Sequence, residues 1–247
     1  MSNYQAEQNC LKDRIIVVTG AGDGIGAAVA KVYAQYGATV ILLGRTQKKL
    51  EKIYDEIVEA GSPEPAIYPM ELQTAMPVEY QTLAQTIESE FGHLDGLLHN
   101  AATLGTLTPI EHYDARLWMH IMQVNLNATF FLTKYCLPLL NKKPDGSIIF
   151  TTANVGYKGQ AYWGAYAASK AAVTNLAEVL AEELEVNTSI RVNCVDPGPV
   201  RTRMNALAYP GQDPNEIPGP EDICNIYLYL MNEASAGVTG ERFAAQD

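Results

Sequence analysis

Short apolar runs alternate with longer stretches of helical periodicity along most of the chain. The runs, in chain order, are RIIVVT, ATVILL, AIYPM, LDGLLHN, GSIIFTT and SIRVNCV, and a helical stretch follows each of them. Strands that are apolar along their whole length are buried on both faces, and intervening helices connect such strands in parallel. The alternation therefore predicts an α/β fold in which a parallel sheet carries helices on both faces.

An apolar stripe marks the first helical stretch. Its members, spaced by three or four residues, are Ile25, Val29, Val32 and Tyr36. Lys31 and Gln35 fall outside the stripe, so this helix is expected to bury one face.

The chain is long enough for one large domain. It has 247 residues, of which 47% are hydrophobic, and no internal repeat or shift of composition divides it. The stretch LAYPGQDPNEIPGPED is rich in proline and glycine, but the residues after it are too few for a separate domain. We interpret this stretch as a mobile loop and residues 1–247 as a single domain.

Charge and composition exclude several classes of function. The net charge of −11 argues against nucleic acid or an anionic membrane as a partner. No apolar run approaches the roughly 20 residues of a membrane-spanning helix. Four scattered cysteines, four histidines without ligand spacing and a start unlike a signal peptide indicate no metal site and a cytoplasmic location.

The segment TGAGDGIG, residues 19–26, lies between the first predicted strand and the first predicted helix. Glycines allow positive φ and close backbone approach, and the helix N-terminus presents free N–H groups to a pyrophosphate. The segment therefore predicts a dinucleotide-binding turn. The alternative is a tight turn that merely contains glycine.

The second predicted strand ends in the tripeptide GRT, where dinucleotide-binding proteins usually place an acidic residue for the ribose hydroxyls. Arg45 can instead pair with a 2′-phosphate through two charge-assisted hydrogen bonds, and Lys48 and Lys49 add positive charge nearby. This favours NADP(H) over NAD(H). The acidic Asp23 in the glycine turn argues mildly against it, and the alternative for Arg45 is a solvated residue at a helix start.

Tyr166 stands four residues before Lys170 in the segment YAASK. On a helix this spacing brings the phenol and the ammonium to one face, within reach of each other. The pair suits proton transfer to a carbonyl oxygen, and the alternative is a packed aromatic residue on a helix. Tyr157, Tyr162 and Trp163 nearby are interpreted as wall and packing residues.

Three motifs in this order, TGAGDGIG, YAASK and DPGPVRT, resemble those of the short-chain dehydrogenase/reductase family in its single-domain form. The resemblance runs from about Asp13 to the C-terminus, and the chain looks most like a poorly characterised bacterial subgroup. It implies a Rossmann-type, doubly wound sheet of about seven strands, a nicotinamide cofactor, and a homodimer or homotetramer. It also implies hydride transfer between the cofactor and a small-molecule carbonyl or alcohol.

The resemblance and the arguments above together assign the candidate site. The cofactor-binding residues are Gly20, Asp23, Gly24, Ile25, Gly26, Arg45, Glu71, Leu72, Asn100, Ala101, Tyr166, Lys170, Pro197, Val200 and Thr202. The implied catalytic residues are Asn125, Tyr166 and Lys170. Two departures are visible, since Glu71 falls where the family usually has aspartate, and HNAA replaces the family's Asn-Asn-Ala-Gly turn.

In the family, the tyrosine gives a proton to the alkoxide that hydride transfer creates, and the lysine also holds the nicotinamide ribose. To act at neutral pH, the phenol pKa must fall by about three units from about 10, which requires ~4 kcal/mol. An ammonium about 4 Å away supplies about that much at an effective dielectric constant of about 20. We therefore expect Lys170 to lower the pKa of Tyr166.

One position departs from the family pattern in a way that bears on catalysis. Family members carry a serine thirteen residues before the tyrosine, where it hydrogen-bonds the substrate carbonyl, and this chain has Ala153. Thr152 and Asn154 flank it, but side chains alternate along a strand, so either could replace the serine only through a slip or a bulge.

We therefore expect an NADP(H)-dependent oxidoreductase that is slow on ordinary carbonyls. The alternative is a cofactor-binding protein with weak or lost catalysis that acts as a sensor or subunit. A purely structural module fits poorly with so complete a cofactor turn. The net charge of −11 weighs against an acidic acyl-carrier protein as substrate carrier.

Overall fold

Seven strands form one sheet in the computed structural model, which describes residues 4–246. The strands are β1 (Ile15–Thr19), β2 (Thr39–Gly44), β3 (Ala66–Pro69), β4 (Gly96–His99), β5 (Ser147–Thr151), β6 (Arg191–Asp196) and β7 (Arg242–Ala244). All neighbours are parallel, and their order is β3-β2-β1-β4-β5-β6-β7. The predicted doubly wound parallel sheet of about seven strands is confirmed.

Helices connect the strands and cover both faces of the sheet. The α-helices are α1 (Gly24–Gln35), α2 (Gln47–Glu59), α3 (Pro77–Phe91), α4 (Ala115–Met122), α5 (Ala128–Leu140), α6 (Gly164–Glu185), α7 (Arg203–Ala208) and α8 (Cys224–Met231). A π-helical turn, Gln123–Asn127, joins α4 to α5. Over residues 4–246, no helix has both the length and the apolar character needed to cross a membrane.

The central strands contribute side chains to two hydrophobic cores because successive side chains point to opposite faces. In β1, Ile16 and Val18 belong to the core that includes α1 and α8. Ile15 and Val17 belong to the other core, which includes α3, α5 and α6. Burial on both faces explains why the strand is an unbroken apolar run in the sequence.

The order of the strands reverses direction between β1 and β4. From β1 the chain moves outward to β2 and β3, then returns to β4 and continues outward on the opposite side. The loops that follow β1 and β4 therefore diverge, which leaves a crevice at the carboxyl edge of the sheet. This crevice is where ligands bind in open α/β sheets.

The buried face of α1 differs from the predicted stripe. Val29 is fully buried, but Ile25, Val32 and Tyr36 are only partly buried. The helix instead presents alanines and Tyr33 to the core. Small alanine side chains let α1 lie close to the sheet. The predicted stripe contained only larger apolar residues, so it did not include these alanines.

The predicted mobile loop, residues 207–222, has more regular structure than expected. It begins inside α7 and contains short 3-10 turns. The Asn205 side-chain amide donates to Gln212 Oε1 at 2.8 Å, and the Arg201 N–H donates to the Pro218 carbonyl at 2.8 Å. These bonds tie the segment to α7 and to the loop after β6, so its prolines and glycines mark turns within a defined path.

Candidate active site

Thr19 joins the carboxyl ends of the two central strands. Its Oγ1 donates to the Leu98 carbonyl at 3.1 Å and accepts the N–H groups of Asn100 and Ala101 at 2.9 and 3.0 Å. The Asn100 side-chain amide also donates to the Thr19 carbonyl at 3.3 Å. One buried hydroxyl thus fixes the relative positions of the loops after β1 and β4.

Three glycines shape the turn after β1. Gly20 and Gly24 have φ angles of +69° and +52°, which residues with a side chain rarely adopt. A Cβ on Gly26 would lie 2.3 Å from the Gly20 carbonyl oxygen, so there is no room for a side chain. Ile25, between these glycines, is partly buried and packs against the core. The absent side chains and the N-terminus of α1 together fit a pyrophosphate.

Asp23 caps α1 and is paired with a lysine. Its carboxylate accepts the Gly24 N–H at 2.8 Å and forms an ion pair with Lys49. The hydrogen bond from Lys49 holds the pKa of the Asp23 carboxyl below its ordinary value. Because Lys49 offsets its charge, Asp23 opposes a nearby 2′-phosphate less than the sequence alone suggests.

Arg45 follows β2 and is exposed. Within residues 4–246 its guanidinium forms no ion pair. An exposed guanidinium at the carboxyl edge of the sheet is available to a ligand that carries a phosphate.

The segment after β3 reaches the same edge. Leu72 is buried and lines a cavity of about 10 Å³ together with Thr19, His99 and Ala101. Glu71 is exposed, and its carboxylate accepts the Gln73 N–H at 3.3 Å. The backbone after β3 therefore lies beside the ends of β1 and β4.

His99 packs inside the protein. Its Nε2 lies 2.8 Å from Thr133 Oγ1, and its ring stacks on Phe150 with centroids 4.8 Å apart. Burial lowers the pKa of His99 to about 3, so the ring is neutral. Among residues 4–246, no three histidine, cysteine or acidic side chains form a group that could hold a metal.

The loop after β6 is fixed by the C-terminal segment. The Gln246 side-chain amide donates to the Pro197 and Pro199 carbonyls at 2.6 and 2.8 Å. Gly198 has a φ of +65°, and its N–H donates to the Asp196 carboxylate at 2.9 Å. The backbone of this loop is therefore held by Gln246, after β7, and by Asp196, at the end of β6.

The same loop closes against the glycine turn. Val200 is buried in the core, and the Thr202 hydroxyl accepts the Asn205 N–H at 3.2 Å as the cap of α7. A Cβ on Gly24 would approach the Thr202 methyl at 3.2 Å, which shows how close the two segments lie. The predicted cofactor residues from β1 and β6 thus meet.

Asn125 lies in the π-helical turn and is buried. Its Oδ1 accepts the Thr103 N–H at 2.8 Å, and its Nδ2 donates to the Thr103 carbonyl and to Ser169 Oγ at 3.0 and 2.9 Å. The Thr129 hydroxyl donates to the Asn125 carbonyl at 2.9 Å. The asparagine side chain therefore ties the loop after β4 to α6.

Tyr166 and Lys170 are both buried on α6. Lys170 Nζ lies 5.7 Å from the centroid of the Tyr166 ring and donates to the Thr151 carbonyl at 2.7 Å. Burial raises the pKa of Tyr166 above its ordinary value, and the carboxylate of Asp196 adds to the rise. Burial also lowers the pKa of Lys170 to about 8.

The expected net fall in the pKa of Tyr166 is therefore wrong for this structure. Burial disfavours the phenolate and has the largest effect on this pKa. At neutral pH the phenol keeps its proton, which is the state that a proton donor requires.

An apolar cluster surrounds Tyr166. Its buried members are Leu104, Val155, Trp163, Tyr166 and Ala167, and its partly buried members are Ala102, Leu107, Ala153, Met204 and Ala208. Trp163 is central to it, because its ring centroid lies 5.8 Å from that of Tyr166 and 5.7 Å from that of Tyr209. The interpretation of Trp163 as a wall residue agrees with this position.

The side chains on either side of Ala153 do not reach the cluster of Tyr166. Thr152 is buried, and its hydroxyl lies 2.8 Å from the Tyr157 hydroxyl. Asn154 is exposed and begins a 3-10 turn. Ala153 alone of the three packs in the cluster of Tyr166, as strand alternation predicts.

Sequence reasoning missed three residues that position the site. Thr19 and Ser169 lie inside the recognised motifs, but only their hydrogen bonds, to Leu98 and from Asn125, reveal their roles. Gln246 belongs to no motif and follows β7, so nothing in the sequence links it to the loop after β6.

A doubly wound parallel sheet with a glycine turn at its switch point defines the chain as a dinucleotide-binding protein. The family model of the short chain dehydrogenases matches residues 14–213. The chain belongs to this family.

Known proteins of the same family are similar over nearly the whole chain. The uncharacterized oxidoreductase YciK of Escherichia coli K12 is 47% identical over 244 residues, which cover 99% of this chain and 96% of YciK. A short chain dehydrogenase from Escherichia coli CFT073, solved in complex with NADPH, is 47% identical with a TM-score of 0.95, over 98% of this chain and 100% of that one. The 3alpha-hydroxysteroid dehydrogenase of Mediterraneibacter gnavus is 32% identical over 242 residues, which cover 94% of each chain.

Proposed function

We propose that this protein is an NADP(H)-dependent oxidoreductase that interconverts a carbonyl and an alcohol, with Tyr166 as the general acid and base. The observation that carries the proposal is the buried Tyr166–Lys170 pair at the carboxyl edge of the sheet that also carries the glycine turn. In this proposal residues 1–247 act as one cofactor-binding and catalytic domain. Support also comes from the NADPH complex of the similar Escherichia coli protein.

The glycine turn would hold the pyrophosphate, and Arg45 with Lys49 would hold a 2′-phosphate. Gly20 and Gly26 leave the backbone open to close approach, and the guanidinium of Arg45 is exposed. Lys49 would turn from Asp23 toward the phosphate, since two positive charges match its charge better than one. This arrangement favours NADP(H) over NAD(H).

The loop after β6 would hold the nicotinamide end. Pro197, Val200 and Thr202 lie on a backbone that Gln246 fixes, and Thr202 faces the glycine turn. Asn100 and Ala101 line the opposite side, where Thr19 holds them. When bound, the nicotinamide supplies or accepts a hydride at the substrate carbon.

Tyr166 would then complete the reduction of the carbonyl. As the carbon gains the hydride, the carbonyl oxygen gains the electron pair of the C–O π bond and takes the proton of the Tyr166 hydroxyl. Lys170, whose ammonium lies 5.7 Å from the phenol ring, stabilises the phenolate that remains. Asn125 positions α6 through its hydrogen bond to Ser169.

Replacement of Tyr166 tests this role. Tyr166→Phe removes the proton donor and keeps the ring, so we expect turnover to fall about 10²–10⁴-fold with NADPH affinity and unfolding temperature nearly unchanged. Tyr162→Phe is the matched control, because this neighbouring tyrosine is exposed. Full activity in Tyr166→Phe would mean that another group donates the proton.

A second candidate function is cofactor sensing with weak or lost catalysis. The methyl of Ala153 favours it, because this position beside Tyr166 offers no hydrogen-bond donor. A sensor would bind NADPH tightly but consume none of it with any carbonyl. The two candidates are separated by measuring NADPH binding and NADPH oxidation on the same preparation.

We also propose that the protein assembles as a homodimer or homotetramer in a reducing compartment such as the cytoplasm. All four cysteines are free thiols, which agrees with reducing surroundings. Light scattering of the purified protein measures the assembly directly.

A further inference from the structure

The basic segment between β2 and α2 is fixed at both of its ends. Residues 45–49 are all exposed, whereas Leu50, which follows them, is 1% exposed and belongs to the core that includes α1. Gly44 precedes them as the last residue of β2, and its carbonyl accepts a backbone N–H from the segment after β3 at 2.9 Å. Arg45 and Lys49 therefore lie on a short connection between two fixed points.

The side chain of Leu50 lies against two glycines. A Cβ on Gly44 would approach Leu50 Cδ2 at 3.1 Å, and a Cβ on Gly22 would approach the same atom at 3.5 Å. Neither glycine has a positive φ, so backbone conformation does not explain why these positions lack a side chain. Because carbon atoms in contact are about 3.5–4.0 Å apart, a methyl on Gly44 would displace Leu50.

The same packing brings the start of α2 to the glycine turn. A Cβ on Gly22 would lie 3.0 Å from the Cβ of Lys49, and the Lys49 ammonium forms an ion pair with Asp23. Both side chains of this ion pair are about half exposed, and such a pair contributes little to stability. Burial of a whole leucine side chain contributes more, so Leu50 is the main anchor of the segment.

The glycine turn has support of its own. The Ala21 N–H donates to the Leu43 carbonyl at 3.2 Å, which ties the turn to β2 before the basic segment begins. A shift of Leu50 would therefore move the start of α2 and leave the turn in place. The pyrophosphate, which NADPH and NADH share, would keep its site. The 2′-phosphate, which NADH lacks, would lose its alignment with Arg45 and Lys49.

We propose that Leu50 is a positioning residue for cofactor selection, because its packing against Gly22 and Gly44 holds Arg45 and Lys49 where a 2′-phosphate binds. The inference rests on the proposed function, in which these two cations hold the 2′-phosphate of NADP(H). It goes beyond that function by assigning part of the choice between NADPH and NADH to an apolar side chain in the core.

Calorimetric titration of NADPH and of NADH tests this role without turnover. In Leu50→Ala the basic segment loses one of its two anchors, so we expect the Kd for NADPH to rise about tenfold and the Kd for NADH to stay within about twofold. Leu50→Met keeps most of the side-chain volume and should restore the wild-type ratio of the two Kd values. General destabilisation of the protein would instead change both Kd values alike.

Ile57→Ala is the matched control. Ile57 belongs to α2, is 2% exposed, and packs in the same core as Leu50. It lies about 10 Å further along the helix axis, since seven residues separate the two positions. Its truncation removes a similar apolar volume, so we expect the unfolding temperature to fall as in Leu50→Ala with the ratio of the two Kd values unchanged.

Gly44→Ala tests the same contact from the other side. It adds a methyl at 3.1 Å from Leu50 Cδ2 and keeps the leucine, so it decides the question if Leu50→Ala does not fold. We expect the Kd for NADPH to rise about threefold or more and the Kd for NADH to stay unchanged. The double variant should bind NADPH no more weakly than Leu50→Ala, because the added methyl then meets no leucine.

The results separate failure of this inference from failure of the proposed function. A wild-type ratio of the two Kd values in both Leu50→Ala and Gly44→Ala would overturn the role of Leu50 and leave the oxidoreductase function in place. An equal change of the ratio in Ile57→Ala would also overturn it, since any truncation in α2 would then have the same effect. Equal binding of NADPH and NADH by the wild type would overturn the NADP(H) preference of the proposed function itself.

Discussion

The two halves of the candidate site are built from different parts of the chain. The cofactor half is made of backbone, since Gly20 and Gly24 have positive φ and Gly26 has no room for a side chain. The substrate half is made of side chains, with Tyr166 and Ala153 in an apolar cluster. Substitution in the first half disturbs the turn itself, whereas substitution in the second changes chemistry and leaves the fold intact.

The halves also differ in where their charges lie. Arg45 and the Asp23–Lys49 pair are on the surface, where salt screens them and side chains can move. Lys170 is buried and fixed to the Thr151 carbonyl. The charged side chains of the cofactor half can therefore move to meet a ligand, whereas the ammonium of Lys170 is already fixed in position.

The largest effect is expected at Gly26. A Cβ there would lie 2.3 Å from the Gly20 oxygen, so Gly26→Ala must shift the turn. If two backbone donors to the pyrophosphate are lost, at about 1.5–3 kcal/mol each, NADPH affinity falls at least about 150-fold. Calorimetric titration measures it, with Gly159→Ala as the control because nothing lies within 4 Å of its Cβ position. If Gly26→Ala bound NADPH as tightly as the wild type, the cofactor half would not depend on the backbone of the glycine turn, and the contrast with the substrate half would be wrong.

Arg45→Ala sharpens the comparison within the cofactor half. Loss of a charge-assisted pair should weaken NADPH by about 2–3 kcal/mol, which is about 30–150-fold, and leave NADH nearly unchanged. Lys143→Ala, at an exposed position between α5 and the start of β5, is the matched control. An equal loss for both cofactors would rule out a 2′-phosphate role for Arg45.

Ala153→Ser addresses the substrate half. The added hydroxyl restores a donor in the cluster of Tyr166, so we expect kcat for a ketone to rise about tenfold. NADPH affinity and the unfolding temperature should not change, since no backbone conformation is altered. Asn154→Ala is the companion variant, and loss of activity there would show that Asn154 already acts as the donor.

The smallest effect is a pH dependence that comes from Lys170. Burial holds its pKa at about 8, so its ammonium is intact below that pH and loses its proton above it. If this ammonium holds the nicotinamide ribose, the Kd for NADPH stays flat below about pH 8 and rises up to about tenfold per pH unit above it. Lys170→Met should bind NADPH weakly at every pH. If the Kd of this variant for NADPH still rises above about pH 8, the pH dependence belongs to another group.

The fold could be predicted because its signals are local. The central strands of the sheet are buried on both faces, so runs such as IIVV in β1 are unmistakable, whereas the short edge strand β7 is largely exposed and carries no such run. The glycine turn was equally visible, because only glycine satisfies the geometry at Gly26. Helix α1 was harder, because alanines that pack closely carry no periodic signal of their own.

The site was predictable only in part because its remaining contacts are distant in the chain. Gln246 holds Pro197 across 49 residues, and Asn125 reaches Ser169 across 44. The pKa of Tyr166 depends on how much apolar surface surrounds it, which Met204 and Trp163 provide from two different elements. The spacing between Tyr166 and Lys170 could not reveal that burial raises the pKa of the phenol.

The transfer of isotope from the cofactor tests the central claim most directly. The protein is incubated with a panel of aldehydes and ketones and with NADPH that carries deuterium on one face of the nicotinamide C4, and in a second reaction on the other face. We predict that one of the two cofactors, and only one, delivers deuterium to the carbinol carbon of a product alcohol, and that Tyr166→Phe slows this delivery about 10²–10⁴-fold. NADPH that binds but yields no labelled alcohol from either face would contradict the account.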